Sequence, residues 1–75
     1  NMKKEDTPFI ITVIQDMANV SSLVNTFFRD DKKTTQWLNT SNPLLGNQRP
    51  VEMIFSGRTE KLRIFIENSL EGNMP

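Results

Sequence analysis

Residues 42–50, Asn-Pro-Leu-Leu-Gly-Asn-Gln-Arg-Pro, interrupt a chain whose apolar residues otherwise keep a helical period. Asn42 stands before Pro43 and is pushed away from helical dihedrals, so a helix arriving from the N-terminal side has to end before it. Gly46 can take the left-handed turn that a Cβ resists, and Pro50 suits the first position of a new helix. These residues divide the chain into a helix, a tight corner and a further helix start. Leu44 and Leu45 lie in the corner yet are strongly apolar. At least one is expected to turn inward beneath Trp37, closing a compact corner where a flexible link would otherwise stand.

Upstream, Thr7 reads as an N-cap and Pro8 as a first helical residue, followed by Ile10, Val13, Ile14 and Met17 at helical spacing. The β-branched residues of 9–14 make a short strand the competitor, and the capping signals favour the helix. Leu23, Val24, Phe27 and Phe28 form a second stripe that Ser21 or Ser22 could cap, so one long helix and a helical hairpin both fit. Asp30 or Asp31 then caps a helix whose large apolar residues are Trp37 and Leu38. After the corner, Val51, Ile54 and Phe55 share one face of a two-turn helix that Gly57 ends in the left-handed region. The last helix carries Leu62, Phe65, Ile66 and Leu70, with Glu60 early and Gly72 as its stop. Ile64 falls off that stripe, either as an ordinary surface apolar residue or as part of a partner surface. The fold class expected is all-α, a small bundle of four to five short helices. Residues 7–72 would form one domain, with 7–30 an N-terminal helix or hairpin, and residues 1–6 and 73–75 flexible ends. Asn1, ahead of Met2, is set outside the fold.

A domain of 75 residues buries little more than half of its unfolded surface, which favours association with a partner. Without cysteine there is no disulfide to support a small secreted fold, and a cytoplasmic setting is expected. Nine basic residues balance nine acidic ones, which argues against DNA binding by this chain alone. The apolar run of residues 9–14 is far short of the ~20 residues that cross a bilayer. Neither histidine nor cysteine is present, so the commonest general base, the thiol nucleophile and the usual zinc ligands are missing. The serines have no partner base, and the three glycines are dispersed, so neither a nucleophile elbow nor a phosphate loop is present. The expectation is a protein that is not an enzyme and has no catalytic, cofactor or metal residues. Trp37 is read as core in preference to a base-stacking platform.

The ordered set Trp37-Leu38, Asn42-Pro43, Leu45-Gly46, Pro50, the apolar residues 53–55, Gly57 and a final amphipathic helix ending at Gly72 resembles the C-terminal toxin-binding domain of the MbcA/ParS/Xre antitoxins, over roughly residues 31–72. The chain departs from the family pattern at Thr34, where a small residue such as alanine is usual, at Asn47, where a second glycine is usual, and at Arg49, where serine or threonine is usual. Many such antitoxins carry a helix-turn-helix domain upstream, which residues 1–30 are too few to supply, so a fragment or a minimal form is expected. The resemblance implies an antitoxin module that neutralises a RES-domain toxin, a class that consumes NAD or uses it to modify proteins. It further implies occupation of the toxin's cleft by the C-terminal helix and tail, through Arg58, Arg63, Glu67, Leu70, Glu71, Gly72, Asn73 and Met74. Trp37, Leu38, Asn42, Pro43, Leu45, Gly46, Pro50 and Gly57 would define the fold. The competing readings are a small DNA-associated regulator and a helical self-associating phage or plasmid protein. A homo-oligomer through the apolar N-terminal helices is compatible with the antitoxin reading.

Overall fold

The structure is a computed structural model, described here for residues 6–71, with side chains for residues 9–70. It is all-helical: α1 (Asp6–Phe28), α2 (Asp31–Asn39), a 3-10 turn (Pro43–Leu45), α3 (Pro50–Phe55), α4 (Thr59–Ile66), and a wider π turn (Glu67–Glu71) that continues α4. Among the described residues there is no strand, and the only bridge pairs Asn42 with Gln48 inside the corner. The ends expected to be flexible, and Gly72 as a helix stop, lie outside the described residues.

The helix-or-hairpin question resolves into one continuous helix. Neither proline nor glycine stands between residues 18 and 28, and the two serines do not cap a new start: the Thr26 hydroxyl donates to the Ser22 carbonyl at 2.9 Å within an unbroken turn. Thr7 falls inside α1, one residue past its start, and so is not its N-cap. The apolar stripe is also continuous, through Val20, which is 1% exposed and which joins the two stripes read from the sequence.

α1 stops at Arg29, whose φ of 52° is left-handed, and its N–H donates to the Asn25 carbonyl at 2.8 Å. Asp30 then caps α2, accepting from the backbone N–H groups of Lys32 and Lys33 at 2.9 and 3.1 Å. One side chain fastens this junction. Asn25 Oδ1 accepts from the Asp30 N–H and from the Thr34 hydroxyl, each at 3.0 Å. Thr34 is buried, and without that bond its hydroxyl would be a costly orphan. The threonine standing where the antitoxin pattern has a small residue therefore has its own partner on α1.

Val20, Val24, Leu38, Val51, Met53, Ile54, Leu62 and Ile66 form the buried core, drawn from all four helices. Three side chains differ from the sequence expectation. Phe55 was assigned to the buried face of α3 but is 56% exposed, because its short helix turns Met53, with Val51 and Ile54, into the core. Ile14 was assigned to the α1 stripe but is 62% exposed, because it lies about 80° from the centre of the buried line at 100° per residue. Trp37 is only half-buried, its ring tilted 55° to that of Phe28 with centroids 6.5 Å apart.

Candidate functional site

The corner between α2 and α3 is built around Asn42. Its Oδ1 accepts from the Leu44 N–H at 3.0 Å, its carbonyl accepts from the N–H groups of Leu45 and Asn47 at 2.9 and 3.0 Å, and its own N–H donates to the Gln48 carbonyl at 2.9 Å. Gly46 and Asn47 both sit in the left-handed region, at φ 68° and 63°. Asparagine is among the few side-chain-bearing residues that tolerate this conformation, which explains how Asn47 stands where the antitoxin pattern has a second glycine. Leu45 turns inward against the core, whereas Leu44 is 78% exposed and Pro43 is exposed as well. Pro50 begins α3 and is buried. Ahead of it Arg49 has no side-chain acceptor to cap the helix, so the cap is made from the other direction. Glu52 accepts from the Arg49 Nε at 2.8 Å and, at 3.5 Å, from its backbone N–H. The guanidinium holds the Glu52 carboxyl below its ordinary value.

α3 ends in a Schellman turn. The Gly57 N–H reaches the Ile54 carbonyl at 3.2 Å and the Arg58 N–H reaches the Met53 carbonyl at 2.7 Å, with Gly57 at φ 76°. Arg58 follows directly and is half-buried, its guanidinium spent on this chain's own groups: Nε donates to Ser56 Oγ at 2.9 Å and Nη2 to Gln48 Oε1 at 2.7 Å. It clamps the start of α4 to the corner.

α4 carries a charged surface triad. Arg63 bridges Glu60, one turn before it, and Glu67, one turn after it at 3.0 Å. The arginine holds the Glu60 carboxyl below its ordinary value, and Glu60 in turn raises the arginine. Both pairs are exposed, so they order the surface more than they stabilise the fold. Beside this triad a groove of about 300 Å³ runs between α1 and α4, with Val20 and Leu23 in its lining and Asp16, Thr59 and Glu67 among its polar walls. Thr59 Oγ1 donates to Asp16 Oδ2 at 2.8 Å, tying the first turn of α4 to the middle of α1. Ile64 is 49% exposed on the outer side of the same helix.

Of the residues nominated for toxin contact, the structure thus brings Arg63 and Glu67 together on the α4 surface and turns Arg58 toward the corner. Leu70 is half-buried and packs against the core. The side chain of Glu71, and Gly72, Asn73 and Met74 altogether, lie outside the described residues. Of the groove residues, Leu23 was read from the sequence as part of the second apolar stripe, whereas Asp16 and Thr59 were not singled out. Nothing local in the sequence marks either of these two as a partner of the other. Among the described residues no group of acidic side chains could hold a metal, and no helix is long and apolar enough to cross a membrane.

With this geometry in view, the family can be assigned. The antitoxin Xre/MbcA/ParS C-terminal toxin-binding domain matches residues 22–63, more than half of the chain, and the chain belongs to that family. The match begins nine residues before the stretch read from the sequence and ends nine before it. It takes in the last seven residues of α1, the Asn25–Thr34 junction, the corner and most of α4. No curated protein and no solved structure matches the chain.

Proposed function

We propose that the chain is an antitoxin module that neutralises a RES-domain toxin by binding over the toxin's cleft with α4, the π turn and the tail beyond it. The observation that carries this is the family match across a rigidly built corner that delivers α4 to the surface. The Schellman turn, the Arg58 clamp and the Asp16–Thr59 bond fix the direction of α4 from three sides. What this leaves outward among the described residues is the Glu60–Arg63–Glu67 triad and Ile64. Arg63 and Glu67 serve as the polar contacts, Ile64 as the apolar one, and residues 71–75 as the segment that enters the cleft. Affinity then comes mainly from the preordered helix, and inhibition from the tail, which loses conformational freedom on binding.

In this reading the chain contributes no chemistry of its own; it acts by excluding substrate from the toxin. The test is a toxin-rescue assay with a paired binding measurement. Removing residues 71–75 should leave most of the complex intact while weakening rescue. Full rescue by the truncated chain would transfer the blocking role from the tail to the α4 surface around Ile64.

A further inference from the structure

α4 does not stop where its α-helical hydrogen bonding stops. Residues 67–71 continue it as a π turn, in which each hydrogen bond closes over five residues where an α-helix closes over four. Such turns are rare and recur at functional sites. The buried stripe explains why this one forms. Leu62 and Ile66 are both fully buried, and at 100° per residue the path between them overshoots a full turn by about 40°. The same path again would carry Leu70 about 80° off the line of Leu62, the displacement that leaves Ile14 exposed on α1. A π turn advances only roughly 80° per residue, so from Ile66 to Leu70 it falls short of a turn by about as much as the α-helix overshoots. Leu70 thereby comes back above Leu62 and packs against the core, while Asn68 in the widened turn stays exposed.

We infer that Leu70 is a positioning residue: its seat on the core holds the π turn open, and the turn sets the direction in which the chain leaves α4 at residue 71. Without that seat, residues 67–71 rewind into the commoner α-helical bonding, and everything beyond them rotates about the helix axis by roughly 100°. Glu67, bonded to Arg63 at 3.0 Å, stands at the first position of the turn, so rewinding moves the chain beyond Leu70 and leaves the charged triad in place. The inference rests on the antitoxin reading proposed above, in which residues 71–75 enter the cleft. It takes Leu70 off the contact surface and makes it part of the device that aims the tail. Aim matters because the segment is short: residues 71–75 span at most ~17 Å fully extended, and a departure turned by more than a quarter of the helix circumference spends much of that reach on the way back.

The test uses three variants of the whole chain: Leu70→Gln, deletion of Asn68, and the two combined. NMR couplings across hydrogen bonds, measured with no toxin present, read the register. The parent should pair the Glu71 amide with the Ile66 carbonyl, and Leu70→Gln should move that pairing to the Glu67 carbonyl. Deleting Asn68 takes one residue out of the turn, so the Glu71 amide meets the Ile66 carbonyl again, now across an ordinary α-helical span. Residual activity of a purified RES-domain toxin at saturating chain then reads the aim. Leu70→Gln should bind with a dissociation constant within about threefold of the parent's and lose inhibition. The combined variant, whose tail leaves in the parent's direction without Leu70, should recover it. A leucine in direct contact with the toxin would not be rescued by a deletion two residues away, so a combined variant as poor as Leu70→Gln overturns the proposal. Full inhibition by Leu70→Gln overturns it too, and leaves the antitoxin reading intact. An α-helical pairing in the parent, or a π pairing that persists in Leu70→Gln, overturns it without reference to any toxin. A parent chain that fails to inhibit defeats the antitoxin reading and the aiming role with it, whereas the register change still stands or falls on the couplings.

Discussion

Replacing Asn25 by alanine tests the joint between α1 and α2 with one atom's worth of chemistry. Asn25 Oδ1 holds two donors at 3.0 Å, the Asp30 N–H and the Thr34 hydroxyl, and Thr34 is 4% exposed. Losing a neutral hydrogen bond in a solvated setting is worth about 1 kcal/mol, and stranding a buried hydroxyl adds about 1–2 kcal/mol. The sum for Asn25→Ala is about 2–3 kcal/mol, which for a domain of this size is roughly 10–20 °C in melting temperature. Thr34→Val should be milder, about 1 kcal/mol, because it removes the hydroxyl along with its need for a partner while Asp30 keeps its bond. In the double variant no hydroxyl is left stranded, so it should be less destabilised than the sum of the two single changes, with a coupling of about 1–2 kcal/mol. Thermal melts followed by circular dichroism and by Trp37 fluorescence measure all four proteins. If Asn25→Ala melts within 2 °C of the parent, about the smallest shift such a domain shows for a fraction of a kcal/mol, or if the two changes add without coupling, the account of the joint is wrong.

Further outcomes follow from the same geometry. Leu62→Ala empties a fully buried position at the centre of the core and should cost about 2–5 kcal/mol by chemical denaturation, enough to unfold much of so small a domain. Trp37→Ala, at a half-buried ring tilted against that of Phe28, should cost less than the 3–5 kcal/mol of a fully buried indole, about 1–3 kcal/mol. Gly46→Ala has open space around the new Cβ, so its loss of about 1 kcal/mol would come from φ alone; Asn47→Gly, in the same left-handed region, should be neutral or slightly stabilising in the same melts. Glu52 and Glu60 are both held below the ordinary 4.5, so their ion pairs contribute stability above that value and lose it as pH falls through the depressed pKa values. The melting temperature should therefore stay level from pH 7 toward 5 and fall below about 4.5, less steeply in Glu52→Gln and Glu60→Gln.

The corner was legible because proline, glycine and asparagine act locally: Pro43, Gly46, Pro50 and Gly57 each impose a backbone state that needs no tertiary context. The helical class was legible for a similar reason, since the apolar period survives from Ile10 to Leu70. Phe55 and Ile14 were misplaced because a two-turn helix and a broad apolar stripe each allow several faces, and only the packing of α3 and α4 against α1 selects one. Val20 was passed over because Ser21 and Ser22 resemble a cap, and a cap is recognised only when its side chain turns back to the backbone. The Asp16–Thr59 and Asn25–Thr34 bonds join residues 43 and nine positions apart, and no local pattern announces such a pair. Arg58 was read as a surface charge for toxin contact because its helical position is polar; its bond to Gln48 depends on the corner folding back across ten residues.

The reading proposed above is tested most directly by titrating the NAD-consuming activity of a purified RES-domain toxin, the class of partner it names, with the intact protein. The account predicts loss of activity at stoichiometric addition, a stable complex, and a chain ending at Leu70 that binds nearly as well but inhibits poorly. Undiminished toxin activity with no complex formed would contradict it.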